Sequence, residues 1–445
     1  MKNTLLLFLL ILTTVFSCKQ KPTEDKQTEA FENHFTSKNP WPEIRKKRIQ
    51  ELLPSAMERA EVEAWIVICR ENNNDPMAIH IGGENAGGTS FYLFYKKGDE
   101  LNSAVFSSFG EVTALTELGL HDSIISVSRG QDVFKLATDF VKEISPNKIA
   151  INTSSSNSTA DGLSHSQYQK LTNSFGQEWE EKLISSEALV YEWLSIKLPE
   201  EVEIMRKAAE ITAQWEVEAY KTIVPGKTTD AEVADFLNEK IKTYGFEDGW
   251  NPEQNPNVNS GPDRGHSHAT DKVIMPGDVI QTDFGIKVYG IWVTDIQRFA
   301  YVLKKDEEKA PENIQKYWDV AKRGHRIVFE NMKPGISGYE LDQLQRQWMK
   351  ENGSLPVPWS TGHPVGYVAH DVGPSIGGGQ EGIIPSETAL KPLRQGMVFA
   401  YDGFYAWEIE SGEKTISVEE MVVITENGAE YLTNPQEDLI LIGQE

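Results

Sequence analysis

The chain has 445 residues, 39% hydrophobic and 25% charged, and 67 acidic against 43 basic side chains give a formal net charge of −24. This is the balance of a globular protein with a sizeable core, and it excludes a disordered chain or one built of membrane spans. It also excludes nucleic acid as a partner, because phosphate binding needs a basic surface that releases counterions.

The chain opens with "MKNTLLLFLLILTTVFSCKQ": a lysine, an apolar run from Leu5 to Val15, and the small residue Ser17 before Cys18. The run is too short to span a bilayer comfortably and has the form of a secretory signal. Ending in "VFSC", it resembles a bacterial lipoprotein signal. That implies removal of residues 1–17, lipidation of Cys18, and a place in the bacterial cell envelope, facing the periplasm or the cell surface. Residues 18–40 read as a polar tether with almost no core formers. The other cysteine, Cys69, lies in "AWIVIC" and is expected to be buried, so no intramolecular disulfide framework is expected.

Residues 41–192 alternate helical and strand patterns. "IRKKRIQELLPSAMERA" and "DVFKLATDFVKEI" have helical spacing, "AWIVIC" and "SFYLFYKK" read as strands, and "KIAINTSSS" is a strand entering a Ser-rich loop. His80, His121 and His165 are isolated here and read as packing or surface residues. A second α/β region, 196–445, opens at "KLPEEVEIMRKAAEI", where Pro199 and two glutamates start a helix. Another helix begins at Thr229 or Asp230 and stops at Gly245, and two more follow in "NIQKYWDVAKRGHRIVFENM" and "SGYELDQLQRQWMKENG".

In "QTDFGIKVYGIWVTDIQRFAYV", Asp283 and Asp295 stand in an otherwise apolar strand pattern. Straight strand would separate them by roughly 40 Å at about 3.3 Å per residue. A reversal near Tyr289-Gly290 would bring Asp283 opposite Asp295, and two like charges that close need a proton or a cation between them. An oxygen-rich site of this kind suits a divalent metal. "STGHPVGYVAHDVGP" adds His363 and His370, a ligand type and a proton carrier. "GMVFAYDGFYAW" and "EKTISVEEMVVIT" add Asp402 and the Glu419-Glu420 pair in apolar strands that cannot carry acids unpaired. Period-2 alternation leaves open which glutamate faces the others.

The ordered set Asp283, Asp295, His363, Asp402, Glu419 resembles the five-ligand pattern of the creatinase and methionine-aminopeptidase superfamily of metallopeptidases, on its aminopeptidase P and prolidase branch. "PGDVIQTDFG", "TDIQR" and "VEEMVVITENGAEYLT" match the flanks of the ligands. The resemblance implies a pita-bread catalytic domain after a smaller creatinase-like α/β domain. It also implies two divalent metal ions, manganese first with zinc, cobalt or iron as substitutes, and Glu419 as the last ligand. His370 and His268 are the implied catalytic histidines, and His266 and Arg298 the substrate contacts. His268 is preferred to His266 for the histidine upstream of the first aspartate. The implied reaction is hydrolysis at the N-terminus of a peptide, before proline, with peptide as the partner, the lipid as the sole membrane contact and a homodimer allowed.

The sequence departs from the pattern at four points. Asp402-Gly403 replaces a Glu-Pro-Gly turn, Pro364 replaces a glycine, Ser417 stands where an arginine is common, and the aspartate pair has one extra intervening residue. Trp250, Trp292, Tyr401 and Trp407 are candidates for a proline pocket, although core packing is the expected place for each. Two other readings compete: a degenerate fold that binds peptides or a partner, and a metal-free creatinase-like C–N hydrolase.

Overall fold

The computed structural model describes residues 35, 37–98, 100–265 and 268–443. The signal segment, Cys18, most of the tether and His266 lie outside the described residues. Lys38–Glu445 forms one compact unit. Among the described residues no helix is long and apolar enough to cross a membrane.

Helix α1, Trp41–Lys47, continues through a π-helical turn over Arg48–Leu52 into α2, Leu53–Arg59. A mixed six-stranded sheet follows. Its strands are β1 (Ala64–Cys69), β2 (Ser90–Lys97), β3 (Glu100–Ser108), β4 (Ser123–Val127), β5 (Ile149–Ile151) and β6 (Leu183–Ser185), in the order β4-β3-β2-β1-β5-β6. β1 is buried along its whole length, as a central strand must be, and Cys69 is buried and unbonded. Helices α3 (Val133–Ile144) and α4 (His165–Phe175) cover one face, with Phe134, Ala137, Val141, Leu171 and Phe175 packed on Ile66, Ile68, Phe91 and Leu93. Helix α5, Glu187–Leu194, leads out of this sheet.

Helix α6, Pro199–Tyr220, begins where Pro199 and the glutamates place it. Glu201 bends back to accept the Leu198 N–H at 2.8 Å. Helix α7, Asp230–Tyr244, is capped by a reciprocal Thr229–Glu232 pair and ends at Gly245, whose φ of 69° suits glycine. Three further sheets come next. The first holds β7 (Glu247–Asp248), β10 (Ile286–Val288) and β11 (Trp292–Val293). The second holds β8 (Asn257–Ser260), β9 (Val279–Phe284), β12 (Ile296–Val302) and β17 (Ile440–Ile442), ordered β17-β12-β9-β8. The third is the antiparallel run of β13 (Gly362–Pro364), β14 (Val398–Ile409), β15 (Gly412–Thr425) and β16 (Gly428–Tyr431). Helices α8 (Glu312–Asn331) and α9 (Gly338–Glu351) pack on the outside of this third sheet. Gly403 permits the close approach of α8, since a Cβ there would lie 2.3 Å from the Ala321 carbonyl oxygen. Asp402-Gly403, which departs from the Glu-Pro-Gly turn of the family pattern, sits inside the continuous strand β14.

The expected reversal between the two aspartates is present, with Tyr289 and Gly290 at φ 56° and 68°. Its register differs from the expectation. Val288 pairs with Trp292, which centres the turn on Gly290, so Asp283 faces Gln297 and not Asp295.

Candidate metal centre

Strand alternation builds the site. Asn257 and Asn259 on β8, Gln281 and Asp283 on β9, Asp295 and Gln297 entering β12, and Thr415, Ser417 and Glu419 on β15 are each two residues apart, so each set points to one face. All of them line a single cleft of about 920 Å³, with His363, His370 and Asp402. Two sheets thus contribute facing rows of polar side chains to one cavity.

Within it, the His363 Nε2 lies 3.6 Å from an Asp295 oxygen and 3.9 Å from a Glu419 oxygen. One donor atom each from Asp295, His363 and Glu419 falls within 4.8 Å of the others. Asp402 is the cross-strand partner of Glu419. The His370 ring stands 4.2 Å from that of His363, nearly perpendicular.

Four carboxylates this close are costly without a cation. Burial, followed by the charges of Asp283 and Asp402, pushes the Asp295 acid well above the usual carboxylate range. Burial and Asp283 do the same to Asp402. Burial, Asp402, Asp295 and Asp283 do so to Glu419, against a smaller opposing pull from the Gln297 amide. One Glu419 oxygen, Oε2, is buried with no hydrogen-bond partner among the described residues. A cluster of acids that raise one another, with an imidazole at ligand distance and an orphaned carboxylate oxygen, fits a divalent-metal centre.

The alternation left open at Glu419-Glu420 is resolved here. Glu419 faces the cleft. Glu420 faces away and takes Arg298 in a two-pronged ion pair at 3.0 and 3.2 Å, with the Thr433 hydroxyl at 2.8 Å and the Gln436 N–H at 2.7 Å. Arg298, read from the sequence as a substrate contact, is thus buried behind the site and does not line the cleft. His268 is exposed and does not line it either. Of the four aromatics singled out, Trp250 lines the cleft, Trp292 and Tyr401 are fully buried, and Trp407 packs beside Tyr317 and Tyr405.

Residues 203–426, just over half of the chain, match metallopeptidase family M24. The chain belongs to that family. This M24 chain is 30% identical over 249 residues to an Xaa-Pro dipeptidase of Pyrococcus furiosus, a stretch covering 55% of this chain and 65% of that one. Among solved structures it is similar to the X-Pro aminopeptidase of Thermotoga maritima, with a TM-score of 0.66 and 22% identity over 87% of this chain and 100% of that one. It is also similar to an Xaa-Pro dipeptidase from Bacillus anthracis, with a TM-score of 0.63 and 20% identity over 90% and 100% of the two chains. These likenesses place the chain in the pita-bread α/β fold, with the N-terminal sheet included in the match.

Sequence reasoning missed several lining residues of the M24 chain. Gln281, Gln297 and Ser417 form a hydrogen-bonded group: the Gln281 amide donates to Gln297 at 2.6 Å and to Ser417 at 3.2 Å, and the Ser417 hydroxyl donates to Gln297 at 2.6 Å. The Gln297 amide reaches Asp283 at 3.5 Å. Each lies two residues from an acidic site residue, so alternation counted from those residues would have found them. Trp359, Val368 and Lys287, also in the lining, carried no such signal.

A second omission lies below the site. The loop carrying His370 is held by two buried ion pairs. Lys197 binds Asp371 at 3.1 Å, and Arg48 binds Glu201 at 2.6 Å while the Tyr367 hydroxyl donates to the same glutamate at 2.7 Å. Asp371 also accepts the Tyr367 and Val372 N–H groups. Arg48 comes from the π-helical turn after α1, so the N-terminal region contributes directly to the support of this loop.

Proposed function

We propose that the cleft holds two divalent ions, manganese first, and hydrolyses the N-terminal peptide bond of Xaa-Pro peptides. The observation that carries this is the convergence of Asp295, His363 and Glu419 within 4.8 Å in a cleft that also receives Asp283 and Asp402. Asp283 would hold one ion, His363 and Asp402 the other, and Asp295 and Glu419 would bridge. When bound, the ions would supply Lewis acidity toward the substrate carbonyl and bring the pKa of a water toward neutrality.

The chain's own residues do the rest. The four carboxylates would offset the charge of two dications, and the ions would in turn relieve the mutual repulsion of the buried acids. His370, held on its clamped loop beside His363, holds the substrate carbonyl oxygen and stabilises charge as it develops there. Gln297 fixes the Asp283 carboxylate, and Trp250 and Trp359 provide apolar surface suited to a proline ring. The hydrophobic start of the chain and Cys18 support export and lipid anchoring in the bacterial envelope, with residues 41–192 and 196–445 as the two folded domains.

The test is to strip residues 19–445 of metal, reload with manganese, zinc, cobalt or iron in turn, and assay a peptide library. The reading expects metal-dependent release of the residue before proline. A loaded protein that cleaves no Xaa-Pro peptide would refute the substrate assignment.

A further inference from the structure

We infer that Lys287 recognises a carboxylate on the substrate, the α-carboxylate of a short Xaa-Pro peptide, and so sets the specificity of the cleft. The inference rests on the proposed function and deepens it.

Lys287 is the one cationic residue among the described residues lining the cleft, against Asp248, Asp263, Asp283, Asp295, Asp402 and Glu419. Its side chain makes no ion pair or hydrogen bond with any described residue. A cation beside acids ordinarily finds one of them, yet Lys287 makes no ion pair even with Glu247, its cross-strand partner on β7, and the acids lining the cleft have other roles. Asp263 is paired with the buried Lys414 at 3.2 Å, and Asp248 accepts the Asn255 amide at 3.0 Å. The remaining four acids are the proposed ion ligands.

No arginine or second lysine is among the described residues that line the cleft. Ser417 stands where the family pattern has an arginine, and its hydroxyl is tied to Gln297 and Gln281. Those three side chains satisfy one another, so they offer a neutral surface and no charge. A carboxylate entering this cleft must lose water, and only a cation offsets that cost fully. Lys287 sits on β10, which follows β9 and Asp283 across Gly285 and belongs to a separate sheet, and it lines the same cleft as the proposed ion ligands.

The chemistry admits two sources for the carboxylate: the free C-terminus of a dipeptide, or an acidic side chain further along a longer peptide. The experiment uses the manganese-loaded protein and three probes: Ala-Pro, Ala-Pro amide, and Ala-Pro-Glu amide. Wild type, Lys287→Ala, Lys287→Arg and Lys287→Glu are compared by KM in the cleavage assay and by calorimetric Kd. Wild type is expected to favour the free acid over its amide by about ten-fold or more, as a charge-assisted contact would. Lys287→Ala should abolish that ratio, Lys287→Arg should keep it, and Lys287→Glu should invert it, all with little change in kcat. A Glu-containing amide that binds as tightly as the free acid would assign the carboxylate to a side chain and still support the role of Lys287. An acid-to-amide ratio near one in wild type, or a ratio unmoved by Lys287→Glu, would overturn it. If wild type cleaves nothing, the proposed function fails, but the Kd ratios still decide whether Lys287 selects a carboxylate.

Discussion

Glu419 and Glu420 are neighbours on β15 with opposite fates: Glu419 points into the cleft 3.9 Å from His363, and Glu420 points away into a two-pronged pair with Arg298. Two buried acids in one apolar strand are tolerable because each has a different charge to face. Replacing them should therefore give opposite results. Glu420→Ala leaves Arg298 buried without its partner and should cost about 3–5 kcal/mol in urea denaturation. Glu419→Gln removes one member of a self-repelling cluster, so the metal-free protein should be as stable as wild type or more so, while calorimetry should show divalent-ion binding lost. Equal destabilisation by both would mean that Glu419 is a structural residue.

Glu216 gives a pH signature that does not need the ligand side chains. It lies on α6, fully buried, and neither carboxylate oxygen has a hydrogen-bond partner among the described residues. Burial pushes its acid well above the ordinary 4.5; Arg298 opposes this, and Asp283, Glu420 and Asp295 add to it. The folded state therefore holds a proton that the unfolded chain releases above pH 4.5. Stability is full below that pH and is lost as pH rises toward the folded value. The slope from this one proton is at most about 1.4 kcal/mol per pH unit. Glu216→Gln should flatten the decline and be more stable than wild type at pH 8. A denaturation series with the same slope in both proteins would show that Glu216 finds a partner in solution.

The legible part of this fold was its punctuation. Pro199, Thr229, Gly245 and the Tyr289-Gly290 reversal each carry their own backbone preference, so the helices and the hairpin could be read locally. The ligand set was legible because acids in apolar strands are anomalous wherever they occur. Register was not, since one residue more in the turn moves every cross-strand partner, and Asp283 came to face Gln297. Arg298 was misplaced for a similar reason: its neighbour Asp295 is in the cleft, and alternation sends the arginine behind it. The Arg48–Glu201–Tyr367 support was invisible because it is made by segments far apart in sequence, and Lys287 because a lone lysine in a strand pattern is no anomaly.

That support yields its own expectation. Tyr367→Phe removes the 2.7 Å bond to Glu201 and keeps the ring, which packs against His80 and Lys197. Stability should fall by only about 0.5–1.5 kcal/mol, and ion affinity should not change. Turnover should fall several-fold with KM little altered, because the loop that carries His370 loses one anchor. Steady-state kinetics with unchanged kcat would show that Lys197 and the backbone bonds hold the loop without help.

Gly403 makes a purely steric prediction. Its missing Cβ is what lets α8 lie against β14, so Gly403→Ala should destabilise the protein by about 1–3 kcal/mol, as overpacking does. Thermal unfolding checks this, and a neutral substitution would mean that α8 moves away at little cost.

The central claim is that these five side chains bind two divalent ions on which hydrolysis depends. The most direct measurement titrates manganese into metal-free protein while recording bound ions per chain and release of the residue before proline from an Xaa-Pro peptide. Saturation is expected at two ions per chain, with activity that rises with occupancy and is lost completely on chelation. Each bound ion should add about 2.7 kcal/mol of stability at a hundredfold excess over its Kd. Peptide hydrolysis that survives chelation, or a protein that binds no ion at millimolar manganese, would contradict it.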